Sequence, residues 1–543
     1  MTFGPTAKHL PDFSYAGYAM GDRPIPQIQG PVFDVTHPRF GAVPNDGRDD
    51  TESIQSAIDA AGSAGGGVVL IPRGRFEIHT TTNGKFLRIA HDRIVLRGQG
   101  SGRDGTILHL GAPAPAIGVR RLGSVPAEDE ARHGAIVTVT GAETRSPLAS
   151  YTADVRRGSR VIRVSDSGLL AVGSTVIVEF TDPLIDSEHP SADKVDLAAQ
   201  LTAPFRFVAG QTDSFGAMAK THTWIVQVDK IIDRHTIRLS KPARFDQWLR
   251  YRPRIYSFEG VHQVGIENLH FQSSWPGNYR HHKPFLDAEG KIVRSAKEQD
   301  YLWNGIWISS AVDCWVRDVA FQDLTQGIVA CRSAQITVQD TKYYGLSGHA
   351  GVTIGHSNDL LVRGADFYAR MVHPLTVTIM ASGNVFTDCR AHYEGRNDYD
   401  ATDAAIDFHG LFPYENLFEK LEGFYVCPGG DLSVLPHAGV RNVFWHIRAP
   451  LGMSCYCESE NDEFARSYDL ASTSSKTTAT MFEHFPQAFY IGIQRDNGLP
   501  LAVGASASDR TNSWMTVEGL GRGDLAVPSL YQAQRQFRTH TAN

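Results

Sequence analysis

A hydrophobic anchor recurs through the second half of this chain at nearly constant spacing, and few folds accept such a pattern. It falls at Val316 in "CWVRDVAF", Val338 in "ITVQDTKYY", Val362 in "LLVRGADFY", Phe386 in "NVFTDCRAHY", Phe418 in "NLFEKLEGF" and Phe444 in "NVFWHI". The intervals are 22, 24, 24, 32 and 26 residues. A repeat this short cannot bury its own apolar face and must stack on its neighbours, so a run of them predicts a solenoid with one enlarged coil. Asn384, Asn416 and Asn442 each stand two residues ahead of an anchor. Stacked in a turn, they would hydrogen-bond to one another and to backbone groups that the turn would otherwise strand.

The start of the chain points the same way. Ile54, Ala57, Ile58 and Ala61 fall at i, i+3, i+4 and i+7, the apolar stripe of a short helix. Asp49, Asp50 and Thr51 are its N-cap candidates, glycines 65–67 end it, and "VVLIP" follows as a buried strand. The stretch "FGAVPNDGRDDTESIQSAIDAA" with "GGGVVLIPRGRFEI" resembles the N-terminal signature of the pectate-lyase superfamily of right-handed parallel β-helices. The next segment, "IVLRGQGSGRDGTIL", resembles the following coil. The resemblance covers about eighty residues and implies an all-β fold, a right-handed parallel β-helix closed by an N-terminal capping helix. It does not imply one chemistry, because the group includes lyases, hydrolases and phage tail-spikes.

Five segments are expected: an N-terminal arm (1–30), the cap and first coils (31–112), an inserted antiparallel β subdomain (113–255), the main β-helix (256–460) and a C-terminal extension (461–543). The insert is read from "GSRVIRVSDSGLLAVGSTVIVEF" and "HTWIVQVDKIIDRHTIRLSKP", short alternating strands that break the coil rhythm. Near the end, "VPSLYQAQRQF" suggests a short helix or an arm packing between subunits of a homo-oligomer. A net charge of −7 argues against nucleic acid or an anionic membrane as the main partner. No apolar run approaches the roughly 20 residues of a membrane span. The opening "MTFGPTAKHLPDF" shows no secretion signal, yet a glycan-degrading β-helix is expected to work outside the cell or in the periplasm. The six cysteines are too scattered for a disulfide framework and read as buried thiols.

In a parallel β-helix the coils stack about 4.8 Å apart, so matching positions form rows. His349 and His373 each lie thirteen residues before their anchors and are expected to stack, with Asp407 and His409 of "ATDAAIDFHG" on the next coil. Histidine takes and returns protons near neutral pH, and a carboxylate beside it fixes its tautomer. A chance cluster among 22 histidines is the competing account. For β-elimination on a uronate, His373 or His409 would be the base, Tyr414 the acid, and Arg363, Arg370 or Arg396 the carboxylate neutraliser. Asp403 and Tyr399 are further candidates for the substrate surface. Hydrolysis, the alternative, needs two carboxylic acids, and Asp403 with Asp407 is the nearest pair. A non-catalytic binding solenoid is the third reading.

No cofactor or metal is expected, although "NDYDATD" offers oxygen ligands for calcium without the spacing of an EF-hand loop. The segment "GHAGVTIG" partly resembles the G-H-G region of family 28 polygalacturonases, but the preceding coil, "QGIVACRSA", lacks that family's aspartate pair. The pattern "VHPLTV", "SGNVF", "IDFHG", "PYENLF" resembles that of bacterial β-helix proteins of the pectate-lyase-like group. It implies a polysaccharide or oligosaccharide substrate, without saying which.

Overall fold

The computed structural model describes residues 10–78, 87–113, 135–182, 197–203, 221–277, 279–281, 283–392, 405–428, 437–449, 485–495, 515–519, 521 and 523–541. Two large parallel sheets run side by side along the molecule. One of them includes Val32–Asp34, Gly67–Leu70, Ile94–Arg97, Gly265–Glu267, Trp315–Gln322, Thr337–Tyr344, Leu361–Phe367, Val385–Thr387, Leu417–Glu419, Val443–Trp445, Ala488–Ile491 and Met515–Glu518. The other passes through Leu87–Ile89, Ala135–Thr140, Asn304–Ser309, Gln326–Cys331, Gly348–Gly355, Met371–Thr378, Ala405–Phe408 and Tyr425–Pro428. From Asn304 to Pro428 the chain alternates between the two, winding a right-handed parallel β-helix.

The anchors form one line of paired residues. Val316 pairs with Val338, Val338 with Val362, Val362 with Phe386, Phe386 with Phe418, Phe418 with Phe444, and Phe444 with Tyr490. Upstream, the same line continues through Ile266, Leu96, Val69 and Phe33. Where aromatic residues occupy it they lie nearly coplanar: the rings from Phe386 to Phe418, Phe444 and Tyr490 are spaced 4.7, 5.7 and 5.1 Å. Identical apolar positions thus bury one another, and the core extends as a continuous column.

The asparagines form a ladder. Asn384 Nδ2 donates to Asn416 Oδ1 at 2.9 Å, and Asn416 Nδ2 donates to Asn442 Oδ1 at 3.1 Å. The backbone N–H groups of Asn384 and Asn416 donate to the same acceptors. Replacing Asn416 by alanine strands buried donors on Asn384, each costing about 1–3 kcal/mol. The midpoint of denaturant unfolding should fall accordingly, and an unchanged midpoint would deny the ladder a stabilising role.

The capping helix spans Thr51–Ser63 and buries Ile54, Ala57, Ile58 and Ala61, as its periodicity requires. Its N-cap residue is Asp50, but the carboxylate makes no cap bond. It accepts instead from the N–H groups of Val43 and Glu77, tying the helix to the first coils.

Two boundaries differ from those drawn on sequence. Ala135–Thr140 pairs in parallel with Leu87–Ile89 and Asn304–Ser309, so it is a solenoid strand and not part of the insert. The insert proper is a six-stranded antiparallel sheet ordered Pro147–Ser150, Arg254–Ser257, Thr175–Thr181, Thr221–Asp233, Thr236–Leu239 and Val161–Arg163. Past residue 460, Ala488–Ile491 and Met515–Glu518 continue the solenoid. The final helix, Leu530–Thr541, folds back on the arm of its own chain: Gln534 accepts from the Phe13 N–H, Tyr531 donates to the Ala16 carbonyl, and Arg538 pairs with Asp22. Cys314, Cys331 and Cys389 are buried free thiols.

Candidate active site: a histidine cluster on the second sheet

The strands Gly348–Gly355, Met371–Thr378 and Ala405–Phe408 are consecutive rungs of the second sheet, and they carry His349, His373 and Asp407. The two histidines are offset in register, because His373 pairs with Ala350. Their rings still meet, with centroids 5.4 Å apart. A bulge lies at His349: its N–H and that of Ala350 both donate to the Thr325 carbonyl, at 2.8 and 2.9 Å. A bulge re-aims a side chain at the edge of a rung.

Asp407 sits between two imidazoles. His409 Nδ1 lies 3.0 Å from Asp407 Oδ2, and His373 Nδ1 lies 3.7 Å from the same oxygen. The carboxylate is 1 % exposed, whereas the His409 side chain is 33 % exposed. Asp407 Oδ1 is buried without a hydrogen-bond partner among the described residues. An ionised Asp407 requires the proton of His409 on Nδ1, which leaves Nε2, on the opposite side of the ring, as its basic nitrogen.

A long excursion between coils, residues 274–303, lies against this surface. It carries a two-stranded hairpin (Phe285–Leu286 with Ile292–Arg294) and the helix Ala296–Tyr301, whose N-cap Ser295 accepts from the Glu298 N–H. Trp275 pins it by donating to the Ser347 carbonyl, while Arg294 lies over the Trp275 and Phe285 rings. The excursion delivers His281, whose Nε2 is 3.3 Å from His373 Nε2. Tyr279 stacks on His349 at 5.8 Å and donates to Asp300 at 2.6 Å; Tyr301 meets His349 edge-on at 5.8 Å. A cleft opens between these parts, lined by Tyr301, Gln326, His349, His373, Asp407 and His409 among others, with about 100 Å³ available to solvent.

Two sets of donor atoms are close enough to share an ion: His281, His349 and His373, and His373, Asp407 and His409, each within 4.8 Å of one another. Imidazole nitrogens suit a transition metal rather than calcium, which takes oxygen ligands. The "NDYDATD" segment considered for calcium lies outside the described residues.

The structure separates the remaining sequence candidates. Arg370 directly precedes the strand that carries His373 and is half-buried. Arg363 is exposed on Leu361–Phe367 in the other sheet, bonded to Gln339, and so is not brought to the cluster. Arg396, Tyr399 and Asp403 lie outside the described residues. Tyr414 is 1 % exposed in the apolar junction with the inserted sheet, its hydroxyl 2.9 Å from His222 Nε2. Burial pushes its phenol well above the usual range and holds His222 down at about 3. Tyr414 therefore lacks the access to the cleft that an acid needs, whereas Tyr301 lines it. His281, Tyr279, Asp300 and Tyr301 were missed because the excursion has no coil rhythm. Its one signal was the density of ring residues in "NYRHHKPF".

No family model matches the chain, and no curated protein does. Among solved structures, it is similar to a tailspike of Pseudomonas phage phi297, at 12% identity and a TM-score of 0.46, over 86% of this chain and 70% of that one. It is also similar to a tailspike of Pseudomonas phage LKA1, at 12% identity and a TM-score of 0.43, over 85% and 71%. A family 28 exopolygalacturonase of Yersinia enterocolitica follows at 11% identity and 0.38, over 90% and 70%.

Proposed function

We propose that this protein cleaves a uronate-containing polysaccharide by β-elimination, in the cleft that crosses the rungs of His349, His373 and Asp407. The observation that carries the reading is the Asp407–His409 pair, a buried carboxylate that orients a half-exposed imidazole toward a cleft with Tyr301 on its wall. His409 Nε2 takes the proton from C5 of the uronate, electrons form the C4–C5 double bond, and the C4–O bond breaks. Tyr301 returns a proton to the leaving oxygen. The imidazole N–H groups of His281 and His373, with Arg370 at the head of the rung, meet the charge of the uronate carboxylate.

Elimination is favoured over hydrolysis because a glycosidase of the usual kind needs two carboxyl groups. Of the described residues that line the cleft, only Asp407 has one. Rungs stacked at strand spacing suit an extended glycan, a substrate met outside the cell or in the periplasm. None of the described helices is long and apolar enough to cross a membrane. Incubation with a panel of acidic glycans should produce the short-wavelength ultraviolet absorbance of an unsaturated uronate along with new chain ends. New reducing ends without that absorbance would overturn the lyase reading in favour of hydrolysis.

A further inference from the structure

A second constellation lies in the first coils of the solenoid and takes no part in the chemistry above. Gly74–Ile78, Thr106–Leu110 and His270–Ser273 are neighbouring parallel rungs. Glu77 pairs in register with His109, and His109 with Gln272. The chain then turns so that the Ser274 N–H donates to the Leu110 carbonyl, which fixes Ser274 beside the His109 rung.

Three side chains line up across these rungs. His109 Nδ1 is 2.7 Å from Glu77 Oε2, and His109 Nε2 is 3.1 Å from Ser274 Oγ. Glu77 and His109 are buried at 9% and 5% exposure, while Ser274 is exposed. Arg75 backs the carboxylate, with Nε 2.6 Å from Glu77 Oε1, and its Nη2 lies 3.0 Å from His109 Nδ1. Burial opposes ionisation of Glu77, but the bonds from His109 and Arg75 outweigh it and hold the carboxyl below its usual range. Two groups face Nδ1: the Arg75 nitrogen, which can only donate, at 3.0 Å, and the Glu77 carboxylate, which accepts, at 2.7 Å. With the Nδ1 proton given to the closer carboxylate, Nε2 presents its lone pair to the Ser274 hydroxyl. Gly111, exposed and without a side chain, borders the Cε1 edge of the ring and leaves that side open among the described residues.

We infer that Ser274, His109 and Glu77 form a nucleophilic site that hydrolyses carboxylic esters. The roles follow the general logic of an activated serine, recognised by geometry rather than by position in the chain. Ser274 Oγ attacks the ester carbonyl as its proton passes to His109 Nε2. The alcohol leaves with that proton, and an acyl group remains on Ser274. Water then attacks the acyl carbon, giving its proton to His109; the acid departs and Ser274 is restored. Ester and water become acid and alcohol. Glu77 is a positioning residue that keeps the imidazole in one tautomer. O-acyl groups on a glycan are the esters in view, and that substrate alone rests on the proposal above.

The test is independent of glycan cleavage. A fluorophosphonate probe should label the intact protein, with the mass increase mapped to the Ser274 peptide. A chromogenic acetyl ester should be turned over at a rate that falls at least about a hundredfold in Ser274→Ala. Because Ser274 is exposed, this variant should fold normally and keep any polysaccharide cleavage. Glu77→Gln should lower kcat for the ester with KM unchanged, which loss of folded protein would not reproduce. Failure of the probe to label Ser274, or equal ester turnover by Ser274→Ala, would overturn the inference.

Discussion

Replacing His409 with alanine should lower kcat for glycan cleavage by about 10²–10⁴, the usual contribution of a positioned general base. Asp407→Asn should cost nearly as much while leaving the side chain's size unchanged. The carboxylate accepts from His409 Nδ1. An asparagine can present its N–H₂ there, which favours a proton on Nε2, the nitrogen that must be basic. KM should change little in Asp407→Asn, because the buried carboxylate orients the base and the effect lies in the chemical step. Tyr414→Phe provides the contrast: it loses the hydroxyl's bonds to His222 and Ser382, away from the cleft, so the rate should stay within a few-fold. Initial rates on one acidic glycan would check all three. Wild-type rates in both His409→Ala and Asp407→Asn would remove this pair from the mechanism and leave a binding solenoid as the better account.

What was legible in the sequence was what repeats. Each anchor from Val316 to Phe444 is one residue of a coil, and its paired neighbours have the same need for burial, so spacing alone located the row. The asparagines were legible for the same reason. Register between His349 and His373 was less so, because the connection from Thr378 to Val385 is one residue longer than that from Gly355 to Leu361, so equal distances to the anchors fall one residue out of step on the rungs. His281 and Tyr301 were hidden because they arrive on a long connection whose path is set by tertiary contacts such as Trp275 to Ser347. Tyr414 illustrates the opposite error. It stands close to His409 in sequence, yet the coil turns a corner between them at Leu411 and Phe412, both at positive φ, and carries the phenol to another surface.

That corner leads to the second large expected effect. Glu415→Ala should destabilise the protein by about 3–5 kcal/mol, the cost of leaving buried charges without their partner. Glu415 is 1 % exposed and accepts from Arg157 at 2.9 Å, Arg441 at 2.7 Å and Arg244 at 3.3 Å. Arg244 also pairs with Asp359, which accepts from Lys241 at 2.5 Å and Asn358 at 2.9 Å. Arg157, Lys241 and Arg244 come from the inserted region, and Asp359, Glu415 and Arg441 from the solenoid, so the network joins the two. Burial works to raise the pKa of both carboxyls, but the cations beside them prevail and hold both below their ordinary values. A depressed folded-state pKa adds stability that is fully present above the unfolded value, about 4, and is lost as pH falls through the folded values. Thermal midpoints should therefore be flat with respect to these groups from pH 5 to 8 and drop below about pH 4, with a shallower drop in Glu415→Gln. Because Glu415 ends the turn that begins just after His409, Glu415→Ala should also slow glycan cleavage by loosening the base. An unchanged unfolding midpoint in Glu415→Ala would show that the insert is held by its apolar junction alone.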